Sequence, residues 1–460
     1  MNRAGLSLAG AVRKRVYAGF YWATGRSDLL PGVAELESLY RAPRESLDAV
    51  VRRNLLGLLS HALDTVPYYR TEGQDLAGRL SEATAVSVLH EMPVLTKEII
   101  RREGENLCSS KPGRKARWTP SGGSTGEPVT LLQDDRMRRQ ATANKILFMK
   151  WLGYEVGEPH LLIWGVPQET FGQKIGPREW TYRKIHNQTY LNCCTVSDDL
   201  LRIWLECINS QRPSIIEAYV DSIYDLARLV LAGRHHVAAP KGIITSAGVL
   251  SPDARRVVEQ AFRCPVLNRY GSREVGDIAC SCLSGPQLHV SEAQYYVEVV
   301  DDNYQPCDPG VEGMVLVTLL TNLTMPLIRY RIEDRAVWAS GPCECGRTTR
   351  RLAAVTGRQN DFLLAADGTR VHYAALVILL FGVPGIRRYQ YRQTSKDHVI
   401  LTIEPMDGGA QDALAQNLRE PMENLRGLLK GTQVELVFAS QITPSKSGKY
   451  RYVLNETMQA

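Results

Sequence analysis

Between residues 130 and 270, short apolar runs alternate with longer amphipathic stretches, and this alternation restricts the chain to a narrow set of folds. Leu161-Leu162-Ile163-Trp164 is followed by a helical stretch at 199–210, Ile215-Ile216-Glu217-Ala218 by one at 222–231, and Gly242-Ile243-Ile244-Thr245 by one at 252–262. Strands separated by returning helices predict an α/β architecture with a largely parallel core. Upstream, 30–110 reads as helical: Leu55, Leu56, Leu58, Leu59 and Leu63 recur at amphipathic spacing, and Val66-Pro67-Tyr68-Tyr69 ends the run. Thr96-Lys97-Glu98-Ile99-Ile100 opens another short helix. After 290 the texture changes to β-rich runs at 295–300, 313–320 and 327–332, broken by Asp, Pro and Gly, as in a distorted antiparallel barrel or sheet. A second change near Gly357-Arg358 opens a compact α+β segment of strand, helix, strand, helix, strand. The expected organisation is an N-terminal helical extension (1–40), a large domain (41–357) and a small C-terminal domain (358–460).

A length of 460 residues accommodates about two or three domains with buried cores. Apolar (44%) and charged (23%) fractions are those of a globular protein, and the net charge of +6 is spread without a Lys/Arg block, so a nucleic-acid partner is not expected. The ten cysteines are too sparse for a disulfide scaffold and no secretory signal is evident, so the expected location is the reducing cytoplasm. No apolar run reaches the roughly 18 residues of a membrane span. The nearest approach, 4–22, is broken by Arg13, Lys14 and Arg15. It reads as a segment packed on its own protein, with contact to an anionic membrane surface as the alternative.

Two short stretches carry candidate chemistry. In Thr119-Pro120-Ser121-Gly122-Gly123-Ser124-Thr125-Gly126-Glu127, glycines let backbone N–H groups approach a ligand and hydroxyls add donors, the chemistry of a phosphate cradle. No Lys follows Gly126, which argues against a Walker P-loop; a flexible Gly/Ser surface loop is the other reading. Asn268-Arg269-Tyr270-Gly271-Ser272-Arg273-Glu274 follows a predicted strand. It combines an aromatic face, a tight turn and a carboxylate suited to a base and a divalent cation, or forms a plain surface turn.

Together the two stretches resemble core motifs of the adenylate-forming superfamily of acyl-CoA synthetases, adenylation domains and luciferases. Met325-Pro326-Leu327-Ile328-Arg329-Tyr330-Arg331-Ile332-Glu333-Asp334 is similar to that superfamily's segment with the ribose-binding Asp. Gly357-Arg358-Gln359-Asn360-Asp361 resembles the hinge motif, and Pro444-Ser445-Lys446-Ser447-Gly448-Lys449 the C-terminal motif with the catalytic Lys. The wording of 325–331, Val66-Pro67-Tyr68-Tyr69 and Cys343-Glu344-Cys345-Gly346-Arg347-Thr348 resembles phenylacetate–CoA ligases and their capsule-biosynthesis relatives over residues 40–460. The resemblance implies a large multi-subdomain α/β domain with a distorted β-barrel, followed by a small mobile α+β domain.

It also implies roles. Ser121, Gly123, Ser124, Thr125 and Gly126 would wrap the ATP phosphates, and Ala247 and Gly248 would line the adenine. Tyr270, next to the Gly271 turn, would stack on the base, Glu274 would hold Mg2+, and Asp334 with Arg358 would hold the ribose. Lys449 would reach the carboxylate and α-phosphate, and Asn360 would be the hinge. The implied reaction activates a small carboxylic acid to an acyl-adenylate and passes it to coenzyme A. An amine, carrier-protein or sugar acceptor, and a non-catalytic nucleotide- and zinc-binding module, are the alternatives. A homodimer is an admissible assembly. The acid pocket would adjoin Glu217, Tyr219, Ala247 and Gly248. Gly122, Glu127, Asn360 and Arg273 depart from the residues common in the family.

An independent signal comes from Cys282-x6-His289 and Cys343-x-Cys345, three thiols and an imidazole with the ligand set of a closed structural Zn2+ site. Relatives of phenylacetate–CoA ligase carry the same pattern. Cys280 is a rival ligand, and four unrelated residues are the other reading.

Overall fold

The structure, a computed structural model, describes residues 8–120, 129–164, 176–193, 198–248, 250–358, 362–367, 370–372, 376, 379–380, 383–406, 411–443 and 452–457. The chain forms two compact units, one of residues 1–332 and 336–355, the other of 333–335 and 356–460.

One sheet of eleven strands dominates. Its strands are β3 (His160–Trp164), β4 (Gln188–Asn192), β5 (Ile215–Tyr219), β6 (Gly242–Ser246), β7 (Val266–Ser272), β8 (Gly276–Cys282), β9 (Gly285–Val290), β10 (Tyr295–Val300), β11 (Glu312–Leu319), β12 (Tyr330–Trp338) and β13 (Arg351–Arg358). The spatial order is β10-β11-β12-β13-β9-β8-β7-β6-β5-β3-β4. From β4 to β7 every pair is parallel. On its other edge β7 pairs antiparallel with β8, which pairs antiparallel with β9. The antiparallel runs expected after 290 therefore continue the parallel ladder.

Alternate residues of the parallel strands face two separate cores. Ile216, Ala218 and Ile243 pack against Trp204, Ile223, Leu226 and Val258 of the crossover helices Asp198–Gln211, Val220–Ala232 and Pro252–Phe262. Ile215 and Ile244 share a second core with Leu147 and Phe148 of helix Asp135–Trp151, on which helix Leu29–Arg41 packs with Val33 and Tyr40. Both faces are thus covered, which is why these strands are near-continuous apolar runs. The helices start where local chemistry favours it. Asp134 accepts the Met137 N–H at 2.8 Å, and Ser251 accepts the Ala254 N–H at 3.1 Å with Pro252 as the first helical residue.

The leucine run lies in helix Arg44–Thr65, where Leu47, Leu55, Leu58 and Leu59 are at most 1% exposed. Burial of each contributes about 1.5–3 kcal/mol. Pro67 forces Val66 into an extended conformation, ends that helix and opens the short helix Pro67–Glu72.

The second unit has a four-stranded sheet of order β18 (Gln433–Phe438), β17 (His398–Pro405), β16 (Ile386–Ser395) and β19 (Val453–Asn455), plus a hairpin of β14 (Phe362–Leu364) and β15 (Arg370–His372). Helices Gln411–Asn417 and Arg419–Leu428, with Leu418 between them, supply Leu414, Met422 and Leu425 to a core with Leu418, Tyr391, Val399 and Leu401. The expected alternation of strand and helix differs from the observed β16–β17 antiparallel hairpin, which pairs two long consecutive strands before the first of these helices. Among the described residues no helix is long and apolar enough to cross a membrane.

Candidate active site

The end of β7, at the border between the parallel and antiparallel halves of the sheet, carries Tyr270 and Gly271. Such a border beside strand C-termini is where open α/β sheets leave room for ligands. A register shift between Tyr270 and Gly271 bends the strand, and any side chain at Gly271 would collide with the Gly276 carbonyl oxygen. Gly276 has φ +90°, a conformation that closes the turn and suits glycine. Arg273 and Glu274 lie half-buried between these glycines.

Neighbours hold the turn by its backbone. The Gln133 amide donates to the Arg273 and Glu274 carbonyls at 3.4 and 3.3 Å, the Tyr295 hydroxyl to the Val275 carbonyl at 2.9 Å, and the Asn144 amide to the Asp277 carbonyl at 2.6 Å. Gln133 ends β2 (Thr130–Gln133), which pairs antiparallel with β1 (Arg117–Pro120) so that Pro120 faces Thr130. The Gly/Ser residues 121–126, with Gly122 and Glu127, fall between these strands and lie outside the described residues. The β2 backbone also meets the 322–325 segment: the Asn322 amide donates to the Leu132 carbonyl at 3.0 Å.

Two further stretches singled out by sequence hold backbone conformations that side-chain-bearing residues rarely adopt. Ala247, just after β6, has φ +62°, and a Cβ on Gly248 beside it would press on the Val220 side chain. Glu333, immediately before Asp334, has φ +69° inside β12, and Arg329 has φ +48°. Such strain persists only where surroundings over-determine it and concentrates at ligand sites. Arg329 is pinned by its guanidinium, which donates to the His90 and Met92 carbonyls at 2.7 and 3.1 Å and lies 3.1 Å from the Glu298 carboxylate. Asp334 is half-buried on β12. Arg358 ends β13, its side chain outside the described set; Asn360 and Lys449 lie outside the described residues.

Behind the turn is a buried charge cluster. Glu217, expected beside an acid pocket, is 0% exposed. Its carboxylate is instead committed to Lys145 Nζ at 2.9 Å, His160 Nε2 at 2.7 Å and Arg269 Nη1 at 2.5 Å. Arg269 reaches on to Asp277 at 3.3 Å, so one guanidinium joins the two ends of the Tyr270–Glu274 turn to each other and to Glu217. Burial alone would raise the Glu217 pKa; Lys145, Arg269 and His160 together overcome it and hold the carboxyl well below its ordinary range. Burial lowers the His160 pKa, with Lys145 and Arg269 adding repulsion against Glu217's opposing pull. Sequence reasoning missed Gln133, Lys145, His160 and Arg269. A signal for the cluster existed at Glu217: a charge inside an apolar strand flanked by apolar neighbours has to be paired.

The predicted metal ligands come together. The ligand atoms of Cys282, His289, Cys343 and Cys345 all lie within 4.8 Å of one another. Two thiolates on tetrahedral zinc at about 2.3 Å stand about 3.8 Å apart; the Cys282 and Cys343 sulfurs are 3.7 Å apart, and Cys345 Sγ is 3.3 Å from His289 Nε2. The other ring nitrogen, Nδ1, lies 2.8 Å from the Thr349 hydroxyl, which orients the ring. The donor set and spacing fit Zn2+. Cys280 is fully buried outside the quartet, separated from Cys282 by a register shift after Ser281.

No family model matches the chain. CapK of Staphylococcus aureus is 22% identical over 381 residues, which cover 80% of this chain and 81% of CapK. Phenylacetate-coenzyme A ligase of Thermus thermophilus is 24% identical over 463 residues, covering 92% of this chain and 98% of the ligase. A crystal structure of 2-hydroxyisobutyryl-CoA ligase in the postadenylation state, in complex with 2-HIB-AMP, matches with a TM-score of 0.69 at 17% identity, over 88% of this chain and 89% of that one. The fold is that of the adenylate-forming enzymes. By sequence the chain is similar to CapK and to phenylacetate-coenzyme A ligase over most of its length.

Proposed function

We propose that the protein is an AMP-forming acid–thiol ligase that activates a small carboxylic acid with ATP and passes the acyl group to coenzyme A. One observation carries the reading. Gln133, on the strand leaving the 121–128 segment, hydrogen-bonds the carbonyls of Arg273 and Glu274, joining the expected phosphate loop to the expected cation site. The strained Ala247 and Glu333 stand in the two stretches that would line adenine and ribose, which supports the same assignment.

In this reading Ser121, Gly123, Ser124, Thr125 and Gly126 cradle the phosphates, Tyr270 stacks on the adenine beside Ala247 and Gly248, and Asp334 with Arg358 holds the ribose. Glu274 would hold Mg2+, which neutralises phosphate charge when bound. Lys449 stabilises the negative charge that develops as carboxylate attacks the α-phosphorus and pyrophosphate departs. Asn360 is the hinge about which 358–460 turns relative to 41–357. Cys282, His289, Cys343 and Cys345 would hold a structural Zn2+, which staples β8 and β9 to the 343–345 loop and contributes to folding.

The test is acid-dependent pyrophosphate–ATP exchange over a panel of aryl, arylacetic, amino and sugar acids, followed by AMP release with and without coenzyme A. Exchange with at least one acid, reduced about 10²–10³-fold by Lys449→Ala, is expected. Absence of exchange across the panel, with Lys449→Ala indistinguishable from the parent chain, overturns the ligase reading. Exchange with AMP release that ignores coenzyme A but responds to an amine, carrier protein or sugar overturns the acceptor alone.

A further inference from the structure

Helix Leu8–Ala23 has two apolar faces. On one, Tyr17 and Tyr21 are buried, with the Tyr21 hydroxyl 2.8 Å from His186 Nε2 and the Tyr17 ring edge-on to His186 at 4.9 Å. The other stands in solvent: Val12 is 53%, Val16 51% and Trp22 76% exposed. At roughly 100° per residue, Val12, Val16, Gly19 and Ala23 share a sector of about 60°, with Trp22 and Arg15 along one border. The first 27 residues hold Arg3, Arg13, Lys14, Arg15 and Arg26 and no Asp or Glu. Arg26 pairs with Asp135 and Lys14 with Glu155, whereas among the described residues no acid pairs with Arg13 or Arg15.

We propose that this helix seats the protein on an anionic lipid surface, its axis in the plane of the interface. The inward face is already satisfied by the protein, so the outward apolar sector is free to enter the headgroup layer. There Trp22 finds the mixed polar and apolar environment that indole prefers, and Arg15 reaches lipid phosphate while its stem lies on acyl chains; Arg13, whose Cβ abuts Gly157 on the inward side, adds its exposed charge from the opposite border. A second copy is the poorer occupant. A two-fold contact through this face would bring Arg15 of both chains together with no acid in the segment to offset them.

The test is sedimentation of the full chain with phosphatidylcholine vesicles containing about 30% phosphatidylglycerol and with phosphatidylcholine vesicles alone, at low salt and at about 0.5 M salt. Expected are partitioning about ten-fold or more in favour of the anionic vesicles, a fall on adding salt, and a comparable loss in Val12→Ser/Val16→Ser/Trp22→Ser and in Arg13→Glu/Arg15→Glu. Both variants are to retain the parent's far-ultraviolet circular dichroism and thermal midpoint, which separates lost binding from lost folding. No partitioning, equal partitioning into neutral vesicles, or serine-variant binding equal to the parent's overturns the proposal. So does a concentration-dependent dimer of the parent that the serine variant abolishes, since the face would then belong to a second copy.

Discussion

Glu217 sits in Ile215-Ile216-Glu217-Ala218, a run whose other members are all apolar and which reads as a plain core strand. Its partners come from helix Asp135–Trp151 and strands β3 and β7, segments far apart in the chain, so no local pattern announces them. Removing one member of a buried ion cluster strands the others, and Glu217→Gln is expected to lower the unfolding free energy by about 3–5 kcal/mol. A loss under about 1 kcal/mol in chemical denaturation would show that the cluster is not held as described. The cluster also sets a pH dependence. His160 has a lowered folded pKa, so below the ordinary histidine range the unfolded chain binds the proton that the native state refuses. Glu217 is held ionised, so its contribution is lost as pH falls below the ordinary carboxylate range. Both make stability rise with pH. Thermal midpoints measured from about pH 5.5 to 7 should climb in the parent and climb less in His160→Gln.

The Tyr270–Glu274 turn was visible in sequence as an element but not in its construction. Gly271 is required because the bulged backbone passes the Gly276 carbonyl too closely for any Cβ. Gly271→Ala should therefore displace Tyr270 and Glu274 together and reduce exchange kcat/KM for ATP by about 10²-fold, a size that roughly 1 Å misplacement produces. An unaltered KM and kcat would remove the turn from the nucleotide site. The Cys/His quartet was more fully legible, because two closely spaced ligand pairs survive as a pattern however the chain folds. What sequence left open, Cys280 against Cys282, was decided by a register shift in β8. The purified chain is expected to carry about one zinc, and Cys345→Ser to lose most of it and drop the thermal midpoint by about 5 °C or more. Metal analysis showing no zinc in the parent would remove the site.

At the scale of the whole molecule, each unit closes its own core, the second around Tyr391, Leu401 and Leu425. If ATP and the acid bind only the native chain, each at about 100 times its dissociation constant contributes about 2.7 kcal/mol, so the midpoint should rise with ligand concentration and the combination exceed either alone. A midpoint indifferent to ATP would argue against the nucleotide site. Sequence by itself determined the α/β class, the leucine helix and its stop at Pro67, and the Cys/His pattern whose four members the fold brings together. These rest on periodicity, proline geometry and short residue patterns, all contained in a few neighbouring positions. The tertiary structure alone decided that the antiparallel strands prolong the parallel ladder, that Gln133 joins the strand leaving the Gly/Ser segment to the Glu274 turn, and that Glu217 serves a buried charge cluster. Strand partners and side-chain neighbours come from distant parts of the chain, and which of them meet is set by the packing of the whole sheet and its helices.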